Sequence, residues 1–318
     1  MSVAFIFPGQ GSQSVGMGRA LADAYPRARE VFAEIDFALG YALTTVMWEG
    51  PAETLTLTEN TQPALVAVSL AAMRVLETEC GVDLARDAQF VAGHSVGEYA
   101  ALAAAGSISV AEAARLVRAR GRAMAQAVPA GASAMAALLG VDFEAAGAIA
   151  AEAAQGQVCQ AANDNGGGQV VISGDRAAVE RAVALAKEKG VRRALMLPVS
   201  GAFHSALMQP AAVVMRDELA RVTIKPPAVA LVSNVLAAAT RDPDEIARGL
   251  IAQVTGNVRW RESVAYMAAA GVDTFYEVGA GKVLSGLVKR IAEGTATVTI
   301  GTPEEVVAFK AGRGTNRS

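Results

Sequence analysis

Apolar residues fall along this chain in two rhythms, short continuous runs and longer stretches spaced for helices, and their alternation predicts a sheet wrapped in helices. Val3 to Phe7 reads as a buried strand closed by Pro8, followed by the small polar loop Gly9-Gln10-Gly11-Ser12-Gln13. Such a loop lies at the carboxyl edge of a sheet, where ligands of open α/β sheets collect, although it serves equally as a plain connection. Helical spacing then runs through 17–39 and 60–79, the second entered through Glu59-Asn60-Thr61 with Pro63 in its first turn. Phe90 to Ala92 is the next apolar run. It leads into Gly93-His94-Ser95-Val96-Gly97 and an alanine-rich helix to about 105, and a further helix starts near Ser109 and ends before Pro129.

Beyond Pro129-Ala130-Gly131 the pieces shorten: a strand at 133–139, a helix at 142–154, a strand at 157–161, a turn holding Asn163, Asn165 and three glycines, a strand at 169–173, a helix at 175–189 and a strand at 191–196. The order β-α-β-β-α-β is that of a ferredoxin-like unit. From 198 onward the long rhythm returns, with a helix to about 221, a strand from Val229 to Ser233, helices near 243–253 and 260–270, a strand at 273–278, the turn Gly279-Ala280-Gly281 and a helix at 282–292. The expectation is an α/β chain: a hydrolase-like large domain with a parallel-sheet core at 1–130 and 198–318, and a small inserted ferredoxin-like subdomain at 131–197. The last residues, Lys310 to Ser318, are glycine-rich and basic and are expected to fray.

Composition narrows the function. The chain has 318 residues, 53% of them hydrophobic with few aromatics, and a formal net charge of −3. That is enough for a substantial core, and too little positive charge for nucleic acid to be the main partner. Cys80 and Cys159 stand far apart and form no metal or redox spacing, so buried free thiols in a reduced cytoplasmic setting are expected. The first residues lack a basic stretch before a long apolar one, and no apolar run reaches membrane-spanning length. No membrane association is expected, nor any metal or cofactor.

The pentapeptide Gly93 to Gly97, between a strand and a helix, has the G-x-S-x-G pattern of a nucleophile elbow, which exposes a serine hydroxyl beside the positive end of a helix. A helix-capping Ser95 in a glycine-rich turn is the plainer alternative. A serine hydroxyl needs a base, and imidazole is the side chain best suited to accept and return the proton. Of the two histidines, His94 is adjacent to Ser95 on one tight turn, where neighbouring side chains diverge. That leaves His204, in Gly201-Ala202-Phe203-His204-Ser205. The helix after Ser109 carries Arg115, Arg118, Arg120 and Arg122, and on its apolar stripe Arg118 and Arg120 each lie roughly 80° off centre, on opposite flanks. Either one can fold over a cleft and grip an anion; the pattern does not choose.

These segments together resemble the malonyl-CoA:acyl carrier protein transacylases of bacterial type II fatty-acid synthesis, and are similar also to the acyltransferase domains of polyketide synthases. The matching residues are Phe7 to Gln13, Thr61-Gln62-Pro63-Ala64, Gly93 to Tyr99, Arg118 to Gly121 with Met124, Gly201 to Ser205, Ser233-Asn234-Val235, Gln253 with Val258-Arg259-Trp260, and Glu277 to Gly281. The resemblance implies Ser95 as acylated nucleophile, His204 as base, the backbone N–H groups of Val96 and Gln10 as oxyanion hole, and Gln253 as the partner behind the histidine. It implies Arg120 as the grip on the malonyl carboxylate, which settles the choice against Arg118. Phe203 matches the pattern that accompanies malonyl over methylmalonyl, and Met124, Gln10 and Asn163 join the substrate-binding set. Val96 stands where leucine is common, and Asp164 with three glycines departs from the family's asparagine turn.

The partners implied are malonyl-CoA as donor and acyl carrier protein as acceptor, with the chain acting as a monomer. Carrier proteins of this kind are acidic, which makes Lys187, Lys189, Arg192, Arg193, Lys289 and Arg290 docking candidates. Two rival readings share part of the pattern. A thioesterase- or lipase-type hydrolase would use Asp142, Asp164 or Asp175 as the acid of a triad. A non-catalytic binding protein would recognise the carrier or malonyl-CoA without turnover.

Overall fold

The computed structural model describes residues 2–199 and 201–315. Ten strands are found among them: β1 (Val3–Phe7), β2 (Phe90–Gly93), β3 (Ser133–Leu139), β4 (Cys159–Asp164), β5 (Gln169–Asp175), β6 (Arg193–Met196), β7 (Ala230–Val232), β8 (Ala239–Thr240), β9 (Thr274–Val278) and β10 (Ala296–Ile300). The larger sheet has the order β10-β9-β1-β2-β7-β8, parallel except for β8 at one edge. β1 and β2 are buried along their whole length, as their unbroken apolar sequences require of central parallel strands. In the register Phe7 faces Gly93, so the loops after β1 and β2 leave the sheet side by side.

The smaller sheet, β4-β5-β3-β6, is antiparallel throughout. Its two faces follow the period of two along β3. Ala134, Ala136 and Leu138 join Ile149, Ile172 and Val179 in a separate core under helices Phe143–Ala154 and Arg176–Glu188. Met135 and Ala137, on the other face, look across a cleft at the larger sheet. The smaller sheet is tied to the loop before the helix Trp260–Ala269, where Asp164 N–H donates to Val258 O and Val258 N–H to Ala162 O.

Several expectations need correction. The stretch 17–39 is two helices, Arg19–Ala24 and Pro26–Leu39, because Tyr25 before a proline is held extended at φ −128°. The helix expected at 60–79 is Thr58–Cys80, which puts Pro63 in its second turn. Strand β4 lies later than the 157–161 expected, carrying Asn163 and Asp164 into the sheet, and β6 begins at Arg193. Helices Leu43–Glu49 and Ala52–Thr56 and strands β8 and β10 were not foreseen. The segment from Lys310 does not fray as far as it is described: it ends the helix Pro303–Thr315, where Arg313 bonds Asp87 at 2.8 Å and stacks on Phe309. Residues 316–318 lie outside the described residues. Of the two thiols Cys159 is buried, while Cys80 is only half-buried.

Candidate active site

Three neighbouring strands of the larger sheet deliver the fixed part of the site from their carboxyl ends. β1 leads to Gln10, β2 to Ser95, and β7 to Ser233-Asn234. The elbow after β2 is tight. A Cβ on Gly93 would lie 1.9 Å from the Gly97 carbonyl carbon, and one on Gly97 would lie 2.2 Å from Phe7 O, so neither position admits a side chain. Ser95 itself sits at φ +51°, a left-handed conformation that a non-glycine residue holds only where its surroundings enforce it. The enforcement comes from Asn234, whose Oδ1 accepts the Ser95 N–H at 2.7 Å while its Nδ2 donates to Gly93 O at 2.6 Å.

His204, also at positive φ, arrives from the loop before the helix Gln209–Leu219. Its Nε2 is 2.7 Å from Ser95 Oγ and its Nδ1 is 2.8 Å from the backbone oxygen of Gln253. The carbonyl accepts at Nδ1, which leaves Nε2 free of a proton to receive one from the serine. Burial drives the ring's pKa down to about 3, with the nearby Arg120 charge adding to the effect, so the free imidazole is neutral. Asp142, Asp164 and Asp175 are all engaged elsewhere, on Ala145 N–H, on Arg261 and on Val158 N–H. None of them stands behind His204, and the triad of the hydrolase reading is absent among the described residues. His94 turns away to Asn165 at 2.9 Å and packs edge-on against Trp260.

Of the two flanking arginines, Arg120 enters the cleft. The helix Val110–Gln126 begins where the sequence indicated, at a Ser109–Glu112 capping box, and its inward face carries Arg120 down to 1% exposure. Its guanidinium donates to Gln62 Oε1 at 2.8 Å, to Gln253 Oε1 at 2.8 Å and to Ser95 Oγ at 3.0 Å. Arg118 is directed to Glu59 and Asn60 and lies over Tyr41. Gln253 spends its remaining amide N–H groups on Glu98, at 2.5 Å, and on Ser95 O. Burial pushes the Glu98 carboxyl up to about 7.

Gln10, Ser95, Val96, Arg120, Met124, Asn163, Phe203 and His204 line one cleft of about 580 Å³ between the two sheets, roofed by Met135, Ala137 and Val171. Gln253 is buried behind it. Among the described residues, no partner takes the backbone N–H of Gln10 or of Val96. Three participants in this network had been given no role from sequence: Gln62, Glu98 and Asn234. Each stands in a quoted motif, but their partners are up to 155 residues away and an amide has no chemical signature of its own. The six basic docking candidates are all exposed, and Lys189 is paired with Glu152. No group of three or more His, Cys, Asp or Glu suited to a metal occurs among the described residues, and no described helix is long and apolar enough to cross a membrane.

A serine bonded to a neutral histidine, two free backbone N–H groups and a buried guanidinium make a cleft suited to holding an acyl group on oxygen beside an anion. The class follows from comparison: residues 4–307 match the family described as Acyl transferase domain. The malonyl CoA-acyl carrier protein transacylase of Escherichia coli (strain K12) is 47% identical over 305 residues, covering 96% of this chain and 97% of that protein. Among solved structures, an acyl-carrier-protein-S-malonyltransferase from Bartonella henselae superposes with a TM-score of 0.96 at 50% identity, covering 99% of this chain and 100% of the other. A malonyl-transacylase solved in complex with a type II PKS acyl-carrier protein gives 0.94 at 39% identity, covering 98% and 100%. The chain belongs to the malonyl CoA-acyl carrier protein transacylase family.

Proposed function

We propose that this enzyme moves a malonyl group from coenzyme A to the phosphopantetheine thiol of acyl carrier protein, in two half-reactions through an acyl-serine. The observation that carries the reading is Arg120: a guanidinium with 1% exposure and no carboxylate partner among the described residues, 3.0 Å from a serine oxygen that is itself 2.7 Å from a histidine. A buried charge is costly unless something compensates it, and a planar fork matches the two oxygens of a carboxylate.

In the first half-reaction Ser95 Oγ attacks the thioester carbonyl carbon as its proton passes to His204 Nε2. The N–H groups of Gln10 and Val96 receive the negative charge that develops on the carbonyl oxygen. The carbon–sulfur bond then breaks, and the coenzyme A thiolate leaves with the proton from His204. In the second half-reaction the carrier's thiol gives its proton to His204, its sulfur attacks the acyl-serine, and Ser95 recovers the proton as the ester bond breaks. A backbone carbonyl behind the imidazole fixes its tautomer without adding charge, and a thioester is reactive enough for that milder activation.

We read residues 131–197 as an inserted unit roofing the cleft over the large domain, 1–130 with 198–318. Asn163 and Phe203 then lie along the acyl and thioester path, with Met124 at its floor. The test is mass spectrometry of the intact protein after malonyl-CoA, with the adduct mapped. A malonyl group on Ser95, lost in Ser95→Ala, is the expected result; an undiminished adduct on Ser95→Ala overturns the assignment. Comparing water with carrier protein as acyl acceptor separates transfer from hydrolysis.

A further inference from the structure

The helix Val110–Gln126 treats its arginines unequally. Arg118 and Arg122 share the carboxylate of Glu59, at 3.6 and 3.2 Å. Arg120, far more buried than either, has no carboxylate within ion-pair distance among the described residues. It is held by two neutral amides, Gln62 Oε1 on Nη1 and Gln253 Oε1 on Nη2, each at 2.8 Å. The buried Glu98 is kept from it by the Gln253 amide, whose Nε2 takes the Glu98 carboxyl. Arg120 Nε is buried without a partner, so the fork keeps unspent donor capacity.

The orientation of Gln62 is fixed by chemistry. A guanidinium only donates, so the amide oxygen must face it, and the Nε2 of Gln62 is left to the Met124 sulfur at 3.7 Å. Gln62 is itself fully buried, on the helix Thr58–Cys80, and has no freedom to turn away. An amide at this place aims the fork without neutralising it. A carboxylate of the same shape would also aim it, but would consume its charge in a water-poor cavity where the pair would hold tightly.

We propose that Gln62 is a positioning residue that determines acyl specificity: by holding Arg120 with a neutral oxygen, it keeps the guanidinium charge available to a carboxylate on the acyl group at Ser95. The inference rests on the malonyl-transfer reading above. The measurement is the ratio of kcat/KM for malonyl-CoA to that for acetyl-CoA, in Gln62→Glu and Gln62→Met, with folding checked by thermal unfolding. In Gln62→Glu the ratio falls by roughly tenfold or more, the scale of one hydrogen bond to a charged group, and the fall lies in KM for malonyl-CoA. In Gln62→Met, which lacks the acceptor but adds no charge, Arg120 keeps its full charge and its bond to Gln253, so the ratio falls clearly less than in Gln62→Glu.

A folded Gln62→Glu with an unchanged ratio overturns the proposal. So does a Gln62→Met whose ratio falls by roughly tenfold or more, because lost aim rather than lost charge would then set the preference; this arm stands even if Gln62→Glu does not fold. Wild-type protein that takes no malonyl group on Ser95 removes the transfer reading and this one together. Malonylated Ser95, a ratio lost in Arg120→Ala and a ratio kept in Gln62→Glu would remove this proposal alone.

Discussion

Replacing Asn234 by alanine tests whether the elbow is held in place from outside. The wild-type side chain is fully buried and makes two short bonds, one from Ser95 N–H and one to Gly93 O, that close the turn on itself. Removing it strands a donor and an acceptor away from water, at about 1–3 kcal/mol each, or roughly 4 kcal/mol together. Part of that returns if Ser95 relaxes from φ +51°, since a non-glycine residue there stores about 1–3 kcal/mol. The expected net destabilisation is therefore about 2 kcal/mol, read from the denaturant midpoint. Activity should suffer more than stability, because relaxation moves Oγ off His204, and a displacement of about 1 Å costs on the order of a hundredfold in rate. The assay is the rate constant for malonylation of Ser95 in quenched single-turnover samples, with saturation behaviour little altered. A variant that is less stable yet acylates at the wild-type rate would show that the strained conformation is held by the glycines alone.

Two further substitutions probe neighbouring parts of the same geometry. Arg120→Ala should shift preference toward uncharged acyl thioesters. Because burial and then the Arg120 charge depress the His204 pKa, removing the charge raises it, and the acid limb of kcat/KM for acetyl-CoA should move to higher pH. An unmoved limb would mean that the ring does not feel the guanidinium. Gly97→Ala forces a Cβ to within 2.2 Å of Phe7 O, so the elbow and β1 must separate at a cost of about 1–3 kcal/mol. A wild-type unfolding midpoint in that variant would contradict the close approach.

Where the sequence was informative, a local rule and a chemical need coincided. The glycines flanking Ser95 mark a turn whatever surrounds it, and in a chain with two histidines few rings could meet Ser95, of which His204 comes within 2.7 Å. The helix start at Ser109 was legible for the same reason, since a capping box is complete within four residues. Failures came where distant contacts override local preference. The stretch after Lys310 has poor helix formers and reads as a tail, yet Phe309 packs edge-on against Tyr276 and Arg313 reaches Asp87, 226 residues away. The break at Tyr25 was different: Pro26 announced it, and the apolar spacing that continues through Ala28, Val31 and Ile35 masked the signal.

The network behind the cleft was illegible for a physical reason that also bears on its function. Asn234 and Gln62 are amides, as is Gln253, which only the family resemblance singled out; they carry no charge and show no spacing, and the site uses them because a charge there would be damaging. His204 is held neutral by burial, and Glu98, pushed up to about 7, carries only part of a charge near neutrality. Arg120 is then the one full charge in the cleft without an ion-pair partner among the described residues. An acyl group bearing a carboxylate brings the site close to neutral as it binds, whereas an acetyl group seals the guanidinium under a ligand that offers it nothing. A glutamate in place of Gln253 would pair with Arg120 and abolish the difference. On this argument the choice of neutral amides around Arg120 and the choice of a dicarboxylic acyl group are one decision, made by leaving a single buried charge for the substrate to answer.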